Sequence, residues 1–345
     1  MSFEYERPPD PGDGLRLHLN ENTGGCSPAV IAALRALDAT QVAFYPDYTA
    51  IAAECAAFFG VGESEMLLTN GLDEGILAAA VASTRGRARD AEVLIVEPAF
   101  DMYAAAADAV GARIVTVGPA PDFEFPFRDV LRRLSKATRL VFLTNPNNPT
   151  GGQIPGEQIR KIAIRAPRAL VFVDEAYAEF AGTTFISELG RWPNVVVGRT
   201  FAKAHGLAAL RAGAVFGQSA TLAGLRRVVP PYSLNVAAVA GLHAAIQDTA
   251  HTRHYVAEVA ESKRRFYAAC DGLGVKYWPS AANFVLIHLG EHAAAVVAGL
   301  AARGIVVRDR SHQPGCLGCV RVTTGLVSHT QACIDALKEV LCGAP

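Results

Sequence analysis

Short apolar runs that do not alternate with polar residues recur along the first two thirds of the chain. They fall at residues 93–96, 114–117, 140–143, 170–173, 194–197 and 214–216. Strands buried on both faces have this pattern, because neither face needs polar side chains. Helix-length segments such as 101–111 and 156–166 separate several of the runs, which favours crossover connections. We therefore predict an α/β fold whose large domain has a mostly parallel sheet flanked by helices.

The pattern changes beyond residue 236. Two long helical stretches, 236–247 and 253–272, come first, and strands at 283–289, 304–309 and 319–323 and a helix at 329–341 follow. This order predicts a smaller α+β domain. An N-terminal helix begins at Ser27-Pro28, a cap followed by a first-turn proline, and we expect it to join that domain. The predicted large domain is 40–236, and the smaller one combines 1–39 with 237–345.

Composition excludes several classes of partner. The chain has 345 residues, 51% of them hydrophobic, and a formal net charge of −1. It has no basic run for nucleic acid and no apolar stretch of membrane-spanning length. The N-terminus lacks the pattern of a signal peptide, so we predict a cytoplasmic protein whose partners are small molecules and a second copy of itself.

Seven cysteines, an odd number, do not resemble a disulfide framework. Cys316 and Cys319 form one C-x-x-C pair with His312 nearby, but no complete set of four ligands is visible. We predict no metal site.

The residues that suggest chemistry begin with a lysine in apolar surroundings. Lys203 stands among Phe201, Ala202, Ala204, Leu207 and Leu210, where a buried ammonium would be costly unless the amine reacted to form a neutral imine. Asp174 and Tyr177 precede it and Arg211 follows it. An amine, a carboxylate, a phenol and a guanidinium in this order are the groups that pyridoxal phosphate chemistry requires.

A phosphate site is predicted where an apolar strand meets a helix. The run Asn70-Gly71-Leu72-Asp73 follows residues 66–69 and precedes a helical stretch, so free backbone N–H groups would face an anion. Thr200 supplies a hydroxyl, and Arg211 supplies a guanidinium suited to bidentate contact with phosphate.

Three segments in this order carry a resemblance to a known family. They are Asn145-Pro146-Asn147-Asn148-Pro149-Thr150-Gly151, Asp174 to Tyr177, and the run around Lys203. The chain resembles the fold-type I pyridoxal-phosphate aminotransferases, and more narrowly the histidinol-phosphate aminotransferase-like branch, from Leu17 to Arg321. The resemblance implies pyridoxal 5′-phosphate as cofactor, an amino donor and a 2-oxo acid as substrates, and a role in amino-acid biosynthesis.

The resemblance assigns roles around the cofactor. Lys203 would form the imine with the cofactor and move the proton at the substrate's Cα, while Asp174 would keep the pyridine nitrogen protonated. Asn148 and Tyr177 would donate to the ring oxygen, although Asn148 also suits a turn before Pro149. Phe100 would stack on the ring. Tyr103 is an alternative for that role, and a core phenylalanine is the alternative reading of Phe100.

The resemblance also assigns residues to the partner subunit and the substrate. Tyr45 would reach the phosphate of a partner's cofactor, which implies a homodimer with shared sites; an exposed turn at Pro46 is the alternative. Arg321 would bind the substrate carboxylate, unless it forms a surface ion pair. The remaining residues expected at the substrate are Asn20, Glu21 and Arg308, the last at the substrate phosphate.

The sequence departs from this family at two places. Ala202 stands where many relatives have a serine before the lysine, which removes a hydrogen bond worth about 1 kcal/mol. No aromatic residue precedes the Asn20-Glu21-Asn22 segment where the family has a tyrosine, and Tyr5 is a displaced replacement. Histidinol phosphate and aromatic amino acids therefore both remain candidate donors.

Two other functions are open. A decarboxylase of a phosphorylated amino acid can use the same fold and cofactor, because neither fixes which bond at Cα breaks. A catalytically idle binding protein is the other. The intact set of Lys203, Asp174, Asn148, Tyr177 and Arg211 argues against the idle protein.

Overall fold

The computed structural model of the protein describes residues 12–343, except the side chain of Ala88. Tyr5 lies outside the described residues. The helices are α1 Pro28–Arg35, α2 Ala39–Ala43, α3 Thr49–Phe59, α4 Gly71–Thr84, α5 Met102–Ala109, α6 Phe127–Arg133, α7 Gly156–Arg165, α8 Ala178–Ala181, α9 Ser219–Arg226, α10 Val236–Gln247, α11 Thr249–Leu273, α12 Ala293–Ala301 and α13 Val327–Cys342.

The strands divide among three sheets. They are β1 Leu15–Arg16, β2 Met66–Asn70, β3 Glu92–Val96, β4 Arg113–Val117, β5 Thr138–Thr144, β6 Leu170–Asp174, β7 Val195–Thr200, β8 Ala212–Phe216, β9 Lys276–Trp278, β10 Phe284–His288, β11 Ile305–Val306, β12 Arg308–Asp309 and β13 Cys319–Thr323.

The large sheet has seven strands in the order β2-β8-β7-β6-β5-β3-β4. Strand β8 is antiparallel to both of its neighbours, and the other pairs are parallel. The prediction of a mostly parallel α/β sheet is confirmed. β6 and β7 carry Asp174 and Thr200 at their carboxyl ends, the edge at which open α/β sheets bind ligands.

Consecutive residues of the central strands enter two different apolar cores. In β6, Val171 and Val173 pack on one side of the sheet while Phe172 packs on the other. Successive side chains of a strand point to opposite faces, so a strand covered on both sides needs apolar residues at every position. The unbroken apolar runs have this cause.

The smaller sheet is antiparallel, in the order β12-β13-β10-β9. Its core includes Phe266 of α11, Val296 of α12 and Leu337 of α13. This smaller α+β unit is confirmed, but the predicted strand 304–309 is wrong as a single element. It divides at Val307: β11 pairs in parallel with β1, whereas β12 pairs antiparallel with β13. The change of partner explains the division.

Helices α1 and α10 pack differently from what the sequence led us to expect. We expected both in the smaller domain, but Val30 of α1 and Leu242 of α10 belong to the core of the large sheet. Ser27 caps α1 as predicted, accepting a hydrogen bond from the Ala29 N–H. Otherwise the division into 40–236 and into 1–39 with 237–345 stays a prediction. Within residues 12–343, no helix has the length and apolarity needed to cross a membrane.

We expect Gly213→Ala to lower the Tm of the cofactor-free protein. A Cβ at Gly213 in β8 would lie 2.7 Å from backbone atoms of Gly71 and Leu72 at the start of α4, and backbone cannot move aside as a flexible side chain can. Overpacking of this kind costs about 1–3 kcal/mol. Thermal unfolding followed by circular dichroism measures the change.

Gly224→Ala in α9 is the matched control. Its Cβ would meet only the Ala82 Cβ, at 3.8 Å, so the helix should gain about 0.5–1 kcal/mol. A Gly213→Ala protein as stable as the wild type would show that α4 is not packed as closely on β8 as described.

Candidate active site

A cavity of about 400 Å³ lies at the carboxyl ends of β6 and β7, between the large sheet and β12–β13. The predicted residues that line it are Asn20, Glu21, Leu72, Asp73, Phe100, Asn148, Asp174, Tyr177, Thr200, Lys203, Arg211, Arg308 and Arg321. Ala202 lines it as well. Residues separated by up to 301 positions in the sequence are thus brought to one site.

Lys203 lies in the loop that follows β7 and is half-buried. Its Nζ donates a hydrogen bond to the Leu19 carbonyl oxygen, at 3.0 Å. Burial, helped by the charge of Arg321, lowers the pKa of this amine to about 8. A substantial fraction of the amine is therefore neutral near pH 7–8, the form that reacts with an aldehyde.

Asp174 is 3% exposed. Its two oxygens have separate donors: the Tyr103 hydroxyl reaches Oδ2 at 2.6 Å, and the Ala176 N–H reaches Oδ1 at 3.0 Å. Burial raises the pKa of this carboxyl to about 6 despite both bonds. A carboxylate held in this way suits a protonated ring nitrogen, which would restore the charge balance.

Tyr177 and Asn148 face the same cavity. The hydroxyl oxygen of Tyr177 accepts from Asn20 Nδ2 at 2.9 Å, and burial raises the pKa of the phenol. Asn148 Oδ1 accepts from Arg321 Nη1 at 2.5 Å. Since the amide oxygen is engaged there, the Asn148 amide is oriented with its N–H groups as the donors for a second partner.

The start of α4 has the geometry of an anion site. Gly71 has a φ of +72°, and a Cβ there would lie 2.6 Å from Arg211 Nη2, so glycine lets the guanidinium approach the backbone. Arg211 Nη2 contacts Asp73 Oδ2 at 2.7 Å, and both side chains are about half exposed. An exposed pair of this kind contributes about 0–1 kcal/mol, so an incoming phosphate can displace the carboxylate at little cost.

The other predicted residues have the following positions. Thr200 is buried, and its hydroxyl accepts from the Ala202 N–H at 3.2 Å. Phe100 is half-buried beside Tyr103, with ring centroids 5.8 Å apart. Glu21 pairs with Arg16 at 3.0 Å.

Asn20 is buried and accepts a bond from the Thr323 hydroxyl, which places it among interior contacts of the small sheet as well as at the cavity. Tyr45, in contrast, does not line the cavity of this chain. It is 78% exposed and stacks on Tyr232, with ring centroids 4.3 Å apart.

Arg310 and His18 line the cavity but were not assigned to it from the sequence, and Tyr103 was named only as an alternative to Phe100 for stacking on the ring. Arg310 is 3% exposed, His18 is 1% exposed, and Tyr103 bonds to Asp174. Arg310 follows Arg308 by two positions, a spacing that puts both on one face of an extended chain; that was a usable signal. His18 had no comparable signal, and no sequence pattern indicated the bond between Tyr103 and Asp174.

These groups fit pyridoxal phosphate. The reactive amine, the buried carboxylate and the glycine-lined helix start with its arginine match the aldehyde, the ring nitrogen and the phosphate of that molecule. The fold and the cavity together define a fold-type I pyridoxal-phosphate enzyme.

Comparison with known proteins agrees with this class. The sequence model of the family described as "Aminotransferase class I and II" matches residues 12–341. A histidinol-phosphate aminotransferase of Symbiobacterium thermophilum is 36% identical over 336 residues, covering 95% of this chain and 91% of the relative. One of Roseiflexus castenholzii is 35% identical, with 94% and 89% covered.

A solved structure gives the same result. The histidinol-phosphate aminotransferase of Sinorhizobium meliloti, determined in complex with pyridoxal-5′-phosphate, superposes with a TM-score of 0.86 at 28% identity, covering 95% of this chain and 91% of the other. The chain therefore belongs to the class I and II aminotransferases and is a pyridoxal-phosphate-dependent aminotransferase. Its substrates are an amino donor and a 2-oxo acid. The decarboxylase and the idle protein are not favoured.

We expect capture of pyridoxal phosphate by the cofactor-free enzyme to accelerate with pH up to about 8. Only the neutral amine of Lys203 attacks the aldehyde, and below its pKa of about 8 the neutral fraction falls about tenfold per pH unit. Stopped-flow absorbance at fixed cofactor concentration measures the rate. Lys203→Ala is the control and should show no lysine-bound band, while a rate that still rises steeply above pH 9.5 would contradict the lowered pKa.

Proposed function

We propose that this aminotransferase takes histidinol phosphate as amino donor and passes the amino group to a 2-oxo acid. The observation that carries the proposal is the set of three arginines, Arg308, Arg310 and Arg321, that line the same cavity as Lys203. A single substrate carboxylate needs one guanidinium. Three guanidinium groups suit the phosphate dianion of the amino donor when the donor is bound. They also suit a 2-oxo acid with two carboxylates when the acceptor is bound.

The positions of the arginines support different roles. Arg321 in β13 is buried and uses Nη1 and Nη2 to bond Asn148 and the His18 carbonyl oxygen, which fixes its plane for a carboxylate. Arg308 is half-buried in β12, where the guanidinium can meet a bulkier and more hydrated phosphate. The names of the relatives favour histidinol phosphate over an aromatic amino acid.

The catalytic roles follow from the geometry of the chain's own groups. Bound pyridoxal phosphate supplies the electron sink for the carbanion at the substrate's Cα. Lys203, with a pKa of about 8, is suited to remove and return the Cα proton near neutral pH. Asp174 would hold the pyridine nitrogen protonated, and Asn148 and Tyr177 would donate to the ring oxygen.

The remaining groups hold the cofactor in place. Backbone N–H groups of Gly71, Leu72 and Asp73 at the start of α4 would bind its phosphate, together with Thr200 and Arg211. Phe100 would stack on the ring. The Ala202 methyl group leaves the phosphate without one hydroxyl donor, a loss of about 1 kcal/mol. Asn20 and Glu21 complete the substrate side of the cavity.

We also propose a homodimer with shared sites. Val42, Phe44, Tyr45 and Tyr232 are 66%, 70%, 78% and 55% exposed, a cluster of apolar side chains that a partner subunit would cover. Tyr45 from one subunit would then reach the cofactor phosphate of the other.

We further propose that the enzyme is cytoplasmic. All seven cysteines are free, in keeping with a reducing compartment.

We expect histidinol phosphate to convert the bound cofactor to its amine form with a kcat/KM at least about 100-fold above that of histidinol. Charged hydrogen bonds to the phosphate contribute about 1.5–3 kcal/mol each, and histidinol has none of them. Single-turnover absorbance with histidinol phosphate, histidinol, phenylalanine and glutamate, each added alone, measures the four rates. Arg308→Gln should reduce the discrimination between the first two.

Three results would contradict this assignment. Faster conversion by phenylalanine than by histidinol phosphate would make the enzyme an aromatic aminotransferase. Release of carbon dioxide from a phosphorylated amino acid without a keto product would make it a decarboxylase. An unchanged preference for histidinol phosphate in both Arg308→Gln and Arg310→Gln would remove these arginines from the phosphate site.

We expect mixtures of Lys203→Ala and Tyr45→Ala to be more active than the sum of the two variants measured alone. If Tyr45 acts across the interface, a mixed dimer has one site with both residues intact. Random assortment would restore about a quarter of wild-type activity. Refolding the variants together and assaying amino transfer measures the recovery, and a mixture no more active than the sum of its parts would place Tyr45 outside the partner's site.

A further inference from the structure

The hydroxyl of Tyr103 in α5 makes the shortest hydrogen bond received by Asp174. The Tyr103 oxygen is 2.6 Å from Asp174 Oδ2 and 2.9 Å from the Thr144 hydroxyl. An ionised carboxylate can only accept, so Tyr103 gives its proton to Asp174 and the Thr144 hydroxyl donates to Tyr103. Thr144 therefore donates to Tyr103, and Tyr103 donates to the Asp174 carboxylate.

Packing fixes the ring that carries this hydroxyl. Tyr103 is 1% exposed and lies parallel to Phe142, with centroids 4.5 Å apart and an interplanar angle of 12°. Phe100 packs edge-to-face against another side of the Tyr103 ring, with centroids 5.8 Å apart and an interplanar angle of 89°. A ring enclosed in this way cannot swing out to stack on a ligand, so Phe100 is the better candidate for that role and the hydroxyl stays directed at Asp174.

We propose that Tyr103 is a positioning residue, whose hydroxyl holds the Asp174 carboxylate in the orientation that receives the protonated pyridine nitrogen of the cofactor. The proposal rests on the role given to Asp174 above. With the Ala176 N–H on Oδ1 at 3.0 Å, each carboxylate oxygen has one fixed donor, and the carboxylate plane cannot rotate freely. A charge-assisted bond contributes roughly twice as much as a neutral one.

The same bond opposes the effect of burial on Asp174. Burial raises the pKa of this carboxyl, whereas the bonds from Tyr103 and Ala176 lower it. The charges that face it are Asp73 of α4, which raises the pKa, and Lys203, which lowers it. Asp174 in turn raises the pKa of the neighbouring Tyr177. Tyr103 itself stays a phenol, since burial and Asp174 hold its pKa well above the ordinary value.

Loss of this donor should therefore have a pH signature. A carboxyl with a raised pKa takes up a proton as the pH falls through that value, and a protonated Asp174 no longer holds a pyridinium. Without the Tyr103 hydroxyl this protonation begins at a higher pH. As the pH is lowered, cofactor affinity should therefore begin to fall at a higher pH in a variant without the Tyr103 hydroxyl than in the wild type.

The experiment measures the dissociation constant of pyridoxal phosphate between pH 5.5 and 9 for wild type, Tyr103→Phe, Asp174→Asn and the double variant. We expect Tyr103→Phe to weaken binding roughly tenfold or more at pH 7, with the half-loss of affinity moved to higher pH. In the Asp174→Asn background the same change should add little, because the residue it positions has lost its charge. Circular dichroism of each cofactor-free protein checks the fold.

Tyr267→Phe in α11 is the matched control. Its hydroxyl accepts from the Ser280 N–H at 2.9 Å, so the variant also loses a phenol bond but one on the smaller domain. It should bind the cofactor as the wild type does. A uniform loss of affinity at every pH in Tyr103→Phe would mean a packing defect and would overturn the proposal, as would wild-type affinity in that variant.

The outcomes separate this proposal from the function on which it rests. If Asp174→Asn binds the cofactor as tightly as the wild type, the role of Asp174 fails and the role of Tyr103 fails with it. If Asp174→Asn loses affinity while Tyr103→Phe keeps both its affinity and its pH profile, only the role of Tyr103 is wrong.

Discussion

The burial of a carboxylate at the carboxyl end of β6 determines much of what surrounds it. Asp174 lies among apolar strands, and an unpaired charge there would cost several kcal/mol. The chain meets this cost locally with the Ala176 N–H and at long range with the Tyr103 hydroxyl. These two bonds do not fully compensate the cost of burial, since the pKa of Asp174 is still raised to about 6. A cationic ring nitrogen would complete the compensation, so the same imbalance favours binding of the cofactor.

The side chain of the next residue, Glu175, points in the opposite direction from that of Asp174. Glu175 continues the extended chain, with its N–H bonded to the Gly198 carbonyl oxygen at 2.9 Å. Its side chain points away from the cavity and pairs with Arg199 at 3.2 Å, while its other oxygen accepts from the Phe185 N–H. Two adjacent acids thus serve different ends. Glu175 is paired with a cation of the protein, Arg199, and is structural. Asp174 accepts from two neutral donors, so its negative charge is available to a cationic ligand.

Much of the site was predictable because its residues follow strands directly. Asp174 and Thr200 end apolar runs, and Gly71 begins a helix immediately after another strand, so local patterns placed all three at one edge of the sheet. The bond from Tyr103 joins residues 71 positions apart, and no local pattern encodes it. The division of residues 304–309 into two strands depends on which partners the sheets offer. The packing of α1 on the large core depends on tertiary contacts in the same way.

The N-terminal segment joins the two halves of the cavity through three consecutive residues. His18 accepts from Arg321 and Leu19 accepts from Lys203 through their carbonyl oxygens, while Asn20 donates to Tyr177. Lys203 and Arg321 are therefore held by the same short stretch of backbone. If Lys203 reacts with the cofactor as proposed, its Nζ has to release the Leu19 carbonyl oxygen, so cofactor binding would change the contacts of this segment.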